Sequence, residues 1–325
     1  MTVLVTGGAG YIGSHVVRLL EQRGDDVVIV DNMSNGIASR IGELPLEQID
    51  LSHADATDRL VEVIERYGVD SVVHFAAKKQ VGESVQRPLW YYQQNVTGLA
   101  NLLAALERTG VDRLVFSSSA AVYGMPDRLM VEEDIDCRPI NPYGQTKLIG
   151  EWMIDDVMAA TGLNAIKLRY FNVAGTGWND LADTAVMNLF PIVLDREARD
   201  LAPVIFGDDY DTDDGTCIRD YVHVKDLALA HVYALDALAA GRPRVSTFNV
   251  GTGQGASVRE VIDALSDALG RPLTPEIGDR RAGDPPRLIA DVTAISTELG
   301  WKAEYGLADI AKSAVAAAAW RAAQD

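Results

Sequence analysis

The chain has 325 residues, 48% hydrophobic and 23% charged, which excludes a disordered, collagen-like or wholly coiled-coil protein. Its 47 Asp and Glu outnumber its 29 Lys and Arg, giving a net charge of -18. With no basic run to offset that charge, a nucleic-acid scaffold is excluded, and an anionic membrane surface would repel the chain.

At roughly 150 residues per domain the length predicts two domains. Short apolar runs predict buried parallel strands at Val3–Val5, Val27–Val30, around Ile49 to Leu51, Ser71–Phe75, Arg113–Phe116 and Ala165–Leu168. Helical patterns lie between them at about 11–23, 57–67, 95–109 and 143–160. Strands alternating with helices predict an α/β fold, a doubly wound parallel Rossmann sheet. After Asn172 the pattern loosens through Gly-, Asp- and Pro-rich stretches, and helical patterns recur near 224–240, 257–269 and 307–323. We read residues 1–171 as the sheet domain and 172–325 as a smaller C-terminal α/β substrate-binding domain, with the 224–240 helix packing back on the sheet. Cys137 and Cys217 make no disulfide framework or zinc pattern, and they fit a reducing cytoplasm. Met1 to Gly10 lacks the basic start of a signal peptide, and Ser313 to Trp320 is too short to span a bilayer. No membrane partner and no metal are expected.

Glycines 7, 10 and 13 follow the first strand and open a helix. That order lets the backbone approach a pyrophosphate, with the helix N-terminus supplying amide donors. Asp31 ends the second strand, where a carboxylate accepts hydrogen bonds from ribose hydroxyls and repels a 2′-phosphate. The pattern favours NAD over NADP. Tyr143 and Lys147 stand at i and i+4 after Asn141-Pro142, a helix start, so phenol and ammonium share one helix face. The ammonium is expected to lower the phenol's pKa toward neutrality and make it a base for a sugar hydroxyl. Ser119 closes the run Ser117-Ser118-Ser119 at the end of the fifth strand, placed to hydrogen-bond the same hydroxyl. His74 and His223 read as structural residues.

These residues resemble the extended short-chain dehydrogenase/reductase superfamily and, within it, the UDP-galactose (UDP-glucose) 4-epimerases. The likeness runs from Val3–Gly13 through Val30-Asp31-Asn32, His74-Phe75-Ala76-Ala77, Ser117–Ala120, Tyr143–Lys147 and Leu168–Asn172 to Arg219–Val224, Asn249-Val250-Gly251 and Arg281–Asp284. It implies a bound NAD and a homodimer formed through helices near 95–109 and 143–160. It also implies a reaction in which Tyr143 takes the C4 hydroxyl proton, the C4 hydride leaves, the 4-keto sugar turns over and hydride returns to its other face. Lys147 would tune Tyr143, and Ser119 would hold the C4 oxygen.

Carried over by position, the cofactor contacts are Gly7, Gly10, Tyr11, Ile12, Gly13, Asp31, Asn32, Met33, Ser34, Asn35 and Gly36. The run Phe75, Ala76, Ala77 to Lys79 follows, then Asn95, Ser117, Tyr143, Lys147, Tyr170 and Phe171. Asp55 and Ala56 are expected on the adenine side, with Asp50-Leu51 as the competing alignment. The implied UDP-sugar contacts are Lys79, Ser119, Tyr143, Asn172, Asn188, Leu189, Val204, Phe206, Arg219, Arg281, Asp284 and Leu288. Phe206 is equally readable as a core side chain. Leu288 falls where a large Tyr accompanies rejection of N-acetylated sugars, which implies weak activity on that pair. Relatives that eliminate or decarboxylate place acids just before Val122-Tyr123-Gly124. Ala120 and Ala121 stand there and disfavour that chemistry. A dinucleotide sensor, the other reading, has no need of Ser119, Tyr143 and Lys147 together.

Overall fold

The computed structural model describes residues 1–241, 245–281 and 284–324. Val3 and Val5 are buried on one side of the first strand and Leu4 on the other, so its period-2 pattern is apolar on both faces. The other sheet strands repeat this, and helices cover both sides. The strands are β1 (Thr2–Thr6), β2 (Asp26–Val30), β3 (Leu46–Glu47), β4 (Ser71–His74), β5 (Arg113–Ser119) and β6 (Asn164–Tyr170). They lie in a seven-stranded parallel sheet ordered β10-β6-β5-β4-β1-β2-β3, where β10 (Thr247–Val250) comes from the second half of the chain. One face packs on α1 (Tyr11–Arg23) and the later helix α8 (Val224–Ala239), through Val16, Val17, Leu20, Leu227 and Leu235. The other packs on α2 (Ala56–Tyr67), α5 (Gly98–Thr109) and α6 (Pro142–Thr161), through Leu60, Leu99, Leu102 and Ile154. Between β4 and α5 run the short helices α3 (Val81–Gln86) and α4 (Pro88–Tyr91) and a π-turn at Tyr92–Thr97.

The expected third strand is displaced. β3 spans Leu46–Glu47, and Ile49 to Leu51 follow it as the wall of a cleft. In the second half, β7 (Asn172–Ala174), β9 (Ile218–His223), β11 (Gly255–Ser257) and β13 (Arg287–Leu288) make a small sheet centred on β9. β8 (Val204–Phe206) pairs with β12 (Glu276–Gly278). With α7 (Leu189–Ala198), α9 (Val258–Leu269) and α11 (Leu307–Ala322) they enclose a second core of Phe190, Val193, Ile205, Val261, Leu265 and Ile310. The chain returns from it to the large sheet twice. α8 (Val224–Ala239) packs on α1, and β10 (Thr247–Val250) pairs with β6. α10 (Thr293–Glu298) then packs on β10. Among the described residues no helix is long and apolar enough to cross a membrane.

Candidate active site

β1 ends at Thr6 and the chain turns through Gly7, whose φ of +73° is a left-handed conformation. A Cβ at Gly7 would stand 2.8 Å from the Ala76 amide nitrogen, and one at Gly13 would overlap the Gly7 carbonyl. These positions must be bare for the loop to lie against the end of β4 and the first turn of α1. Gly10 occupies the cap position of α1 without a side-chain cap, so the first-turn amides of this 13-residue helix remain free to face an anion.

One cleft along the carboxyl ends of the strands brings together Gly7, Gly10, Tyr11, Ile12, Gly13, Asp31, Asn32, Ser34, Asn35, Gly36, Phe75, Ala76, Ala77, Lys79, Tyr143, Lys147 and Tyr170. Asp31 is 8% exposed, and its carboxylate accepts from the amides of Met33 (2.9 Å) and Ala9 (3.2 Å). Burial pushes its pKa up, and those amides and the Lys78 charge oppose the rise. Met33 adopts a φ of +58° beside the cleft and is absent from its wall. Asp55 and Ala56 are not on the wall either; Asp50 and Leu51 are. Asp55 sits exposed at the cap position of α2, and Ala56 is buried beneath that helix. Asp50 is fixed at the rim by Asn32 Nδ2 (3.1 Å), the Ser52 amide (2.9 Å) and the Ser52 hydroxyl (2.7 Å).

α6 starts at Pro142 because Asn141 Oδ1 accepts from the Gly144 amide at 2.9 Å. The helix sets Tyr143 and Lys147 one turn apart, 8% and 4% exposed. Lys147 Nζ donates to the Ser117 carbonyl at 2.7 Å and lies 5.0 Å from the centre of the Phe116 ring. Burial lowers the Lys147 pKa to about 8, with Glu151 opposing. The expectation for Tyr143 is reversed in the protein's own field. Burial raises the phenol's pKa, opposed by a hydrogen bond with the Ser119 side chain. Ser119 pairs in register with Tyr170 across β5 and β6, and its Oγ accepts from the Ala121 amide at 3.2 Å. Ser119, Ser117 and Phe171 are not on the cleft wall. Ser117 supplies the carbonyl that holds Lys147, and Phe171 packs with Tyr123 and Leu148. Asn95, from the π-turn, is a brace. It accepts from the Lys78 amide (2.7 Å) and donates to the Lys78 carbonyl (3.0 Å) and to Thr146 Oγ1 (2.9 Å). Arg40, Gln80, Gln94, Asp183, Thr184, Ala185 and Met187 also line the cleft, and no motif marks them.

The other expected substrate residues gather on the second-half strands. Arg219, on β9, contacts Asp284 Oδ1 at 3.1 Å, and Leu288 on β13 is its register partner. Arg281 lies over the Phe206 ring, 4.0 Å from its centre. Phe206 is 39% exposed and so is not a core side chain. Val204 shares β8 with it, and Asn172, at the start of β7, is exposed. Leu189 begins α7, and Asn188 Nδ2 before it reaches Asp183 on the cleft wall at 2.9 Å. Ala282 and Gly283 of the Arg281–Asp284 motif lie outside the described residues. His74 bonds Thr6 Oγ1 at 2.7 Å, and His223 accepts from the Lys225 amide at 3.0 Å as the cap of α8. Among the described residues no His, Cys, Asp and Glu cluster could hold a metal ion.

A buried phenol and ammonium one helical turn apart, at the strand ends and beside a glycine-bared helix N-terminus, define the Rossmann-fold short-chain dehydrogenase/reductase class. Within that class the chain belongs to the NAD dependent epimerase/dehydratase family, whose pattern matches residues 3–251. It is 45% identical to a UDP-glucose 4-epimerase of Azospirillum brasilense over 96% of this chain and 90% of the relative. For the enzyme of that name from Corynebacterium glutamicum the figures are 44%, 94% and 92%. A crystal structure of UDP-glucose 4-epimerase from Stenotrophomonas maltophila, with bound NAD and formylated UDP-arabinopyranose, superposes with a TM-score of 0.94. It is 41% identical and covers 100% of both chains.

Proposed function

We propose that the chain catalyses the reversible C4 epimerisation of UDP-galactose and UDP-glucose with a tightly held NAD. The observation that carries this reading is the buried Tyr143–Lys147 pair in the cleft that also holds the glycine cradle and Asp31, with Ser119, off the cleft wall, hydrogen-bonded to Tyr143. The cleft fits the cofactor on its own geometry. The first turn of α1 offers free amides to a diphosphate, Gly7 and Gly13 leave no Cβ in the loop, and Asp31 faces the cleft as a hydroxyl acceptor. When bound, NAD supplies the acceptor for the C4 hydride and gives it back.

Tyr143 takes the C4 hydroxyl proton and later returns it to the same oxygen, which Ser119 holds by hydrogen bond. Lys147 stays charged at neutral pH, since its lowered pKa still lies near 8, and it steadies the negative charge that forms on Tyr143. Arg219 and Arg281 take the diphosphate of the substrate, with Asp284 orienting Arg219, and Phe206 offers its exposed ring to uracil. Held by its nucleotide alone, the 4-keto sugar can turn its other face before hydride returns. Ala120 and Ala121 leave no proton-transferring acid beside Val122, which favours epimerisation over elimination.

We also infer a homodimer. Val85, Leu89 and Trp152 leave 62%, 77% and 58% of their surfaces exposed on α3, α4 and α6, an apolar surface suited to a second copy. The free thiols Cys137 and Cys217 support a cytoplasmic setting. The test is to incubate the purified protein with UDP-galactose and no added cofactor. Appearance of UDP-glucose is expected. Its absence from folded, NAD-loaded protein overturns the reading.

A further inference from the structure

The adenosine end of the cleft carries a cation as well as Asp31. Lys78 leaves the end of β4, and Ser34 belongs to the loop after β2. In the sheet β1 lies between those strands, so the two loops flank the glycine cradle from opposite sides. Lys78 Nζ crosses to Ser34 Oγ at 2.8 Å, and both residues line the cleft. The reach is held from below and behind. Asn95 grips the Lys78 backbone through both its amide and its carbonyl, and the ammonium lies 5.2 Å from the centre of the Trp90 ring. The Arg87 guanidinium sits over the same ring at 3.8 Å and helps to keep it in place.

We propose that Lys78 is a ribose-reading residue that closes the adenosine end of the cleft, donating to the hydroxyls that Asp31 accepts from. This rests on the dinucleotide reading given above. A ribose hydroxyl both donates and accepts, and a carboxylate on one wall with an ammonium on the other satisfies both functions. An ammonium has three donors, so the Ser34 contact leaves two for the ligand. The same cation would offset part of Asp31's repulsion of a 2′-phosphate, so Lys78 narrows the preference for NAD over NADP that Asp31 sets.

The test compares wild type with Lys78→Leu, Lys78→Arg and Ser34→Ala. Bound NAD is extracted and quantified after timed gel filtration, and NAD and NADP affinities are measured by quenching of tryptophan fluorescence. Lys78→Leu should speed NAD release about tenfold and widen the NAD-over-NADP preference about tenfold, the scale of one charge-assisted hydrogen bond. Lys78→Arg should stay close to wild type, and Ser34→Ala, which removes only the bridging hydroxyl, should speed release by a smaller factor. Unchanged release in Lys78→Leu, or faster release with an unchanged NAD/NADP ratio, overturns the proposal and leaves the dinucleotide reading intact. A wild-type protein that binds no NAD overturns the reading itself.

Discussion

Mild acid should destabilise this protein steeply, although its net charge of -18 would fall and relieve self-repulsion. Of the five histidines four are buried: His15 and His231 fully, and His74 and His223 at 2% exposure. His231 is typical, with Nδ1 2.9 Å from the Leu227 carbonyl and Nε2 3.3 Å from Ser117 Oγ. Burial lowers the pKa of His15, His223 and His231 from 6.5 to about 4, and of His74 to about 3. The folded protein therefore keeps these rings neutral where the unfolded chain protonates them. Stability is intact above pH 6.5 and is lost as pH falls toward 4. At pH 5.5 each ring costs about 1.4 kcal/mol, so the four together cost roughly 5–6 kcal/mol, a large share of a typical 5–15 kcal/mol total. Buried Asp31, Asp220 and Asp226 and partly buried Glu133 have raised pKa values and work in the opposite direction, toward stability in acid. Their contribution grows as pH falls, so they offset part of the loss set by the histidines. Urea unfolding at pH 7.5, 6.5 and 5.5 gives the slope of stability against pH. Near pH 5.5 the histidines should contribute about 3.5 protons to the slope, and His231→Gln should remove nearly one of them. A flat profile between pH 6.5 and 5.5, or a slope that His231→Gln leaves unchanged, would refute the reasoning.

Tyr143→Phe should lower kcat by about 10²–10⁴-fold and leave UDP affinity nearly unchanged, measured by initial rates and calorimetry. Glu151→Ala strands Arg169, a 7% exposed guanidinium held by Glu151 Oε2 at 2.6 Å, and should cost about 3–5 kcal/mol in denaturant unfolding. Combining it with Arg169→Met should recover part of that loss. Leu288→Tyr should suppress turnover of UDP-GlcNAc and UDP-GalNAc, with kcat/KM for UDP-galactose nearly unchanged. The change in a pocket wall of this size is about 10–200-fold, read by comparing the two pairs in both proteins.

What could be read in advance follows the range over which each signal acts. Helices α1, α6, α8, α9 and α11 fall within a residue or two of their expected spans, because caps such as Asn141 and Ser257 and glycines such as Gly24 and Gly162 mark their ends locally. Five of the six expected strands stand where β-branched runs put them. β3 does not, because Leu46–Glu47 carries no such run, and the apolar Ile49 and Leu51 pointed to the wrong segment. That displacement has a consequence at the site. Asp50 follows β3 and reaches the cleft, and Asp55, a few residues on, sits exposed at the start of α2, off the cleft wall. Arg40 and Gln94 show a different limit. Their partners lie 142 and 42 positions away, so nothing in their own neighbourhood marks them as part of a wall.

The strongest local signal, Tyr143 with Lys147, meets an environment that opposes the electrostatics expected of the pair alone, and the difference bears on mechanism. Helical spacing guarantees that the two side chains share a face, but it does not say what else that face meets. Here it meets the floor of the cleft. Lys147 is committed to the Ser117 carbonyl, and burial acts on both groups, lifting the phenol's pKa and lowering the ammonium's. In the protein's own field Tyr143 therefore holds its proton at neutral pH. A base that must give up a proton before it can accept one gains from positive charge arriving with the ligand, such as an oxidised nicotinamide ring. Bound NAD would supply that charge while oxidised and withdraw it on taking up hydride, and burial would then favour the protonated form of Tyr143. The same desolvation that weakens Tyr143 as a free-standing base would thus tie its protonation to the charge of the bound cofactor.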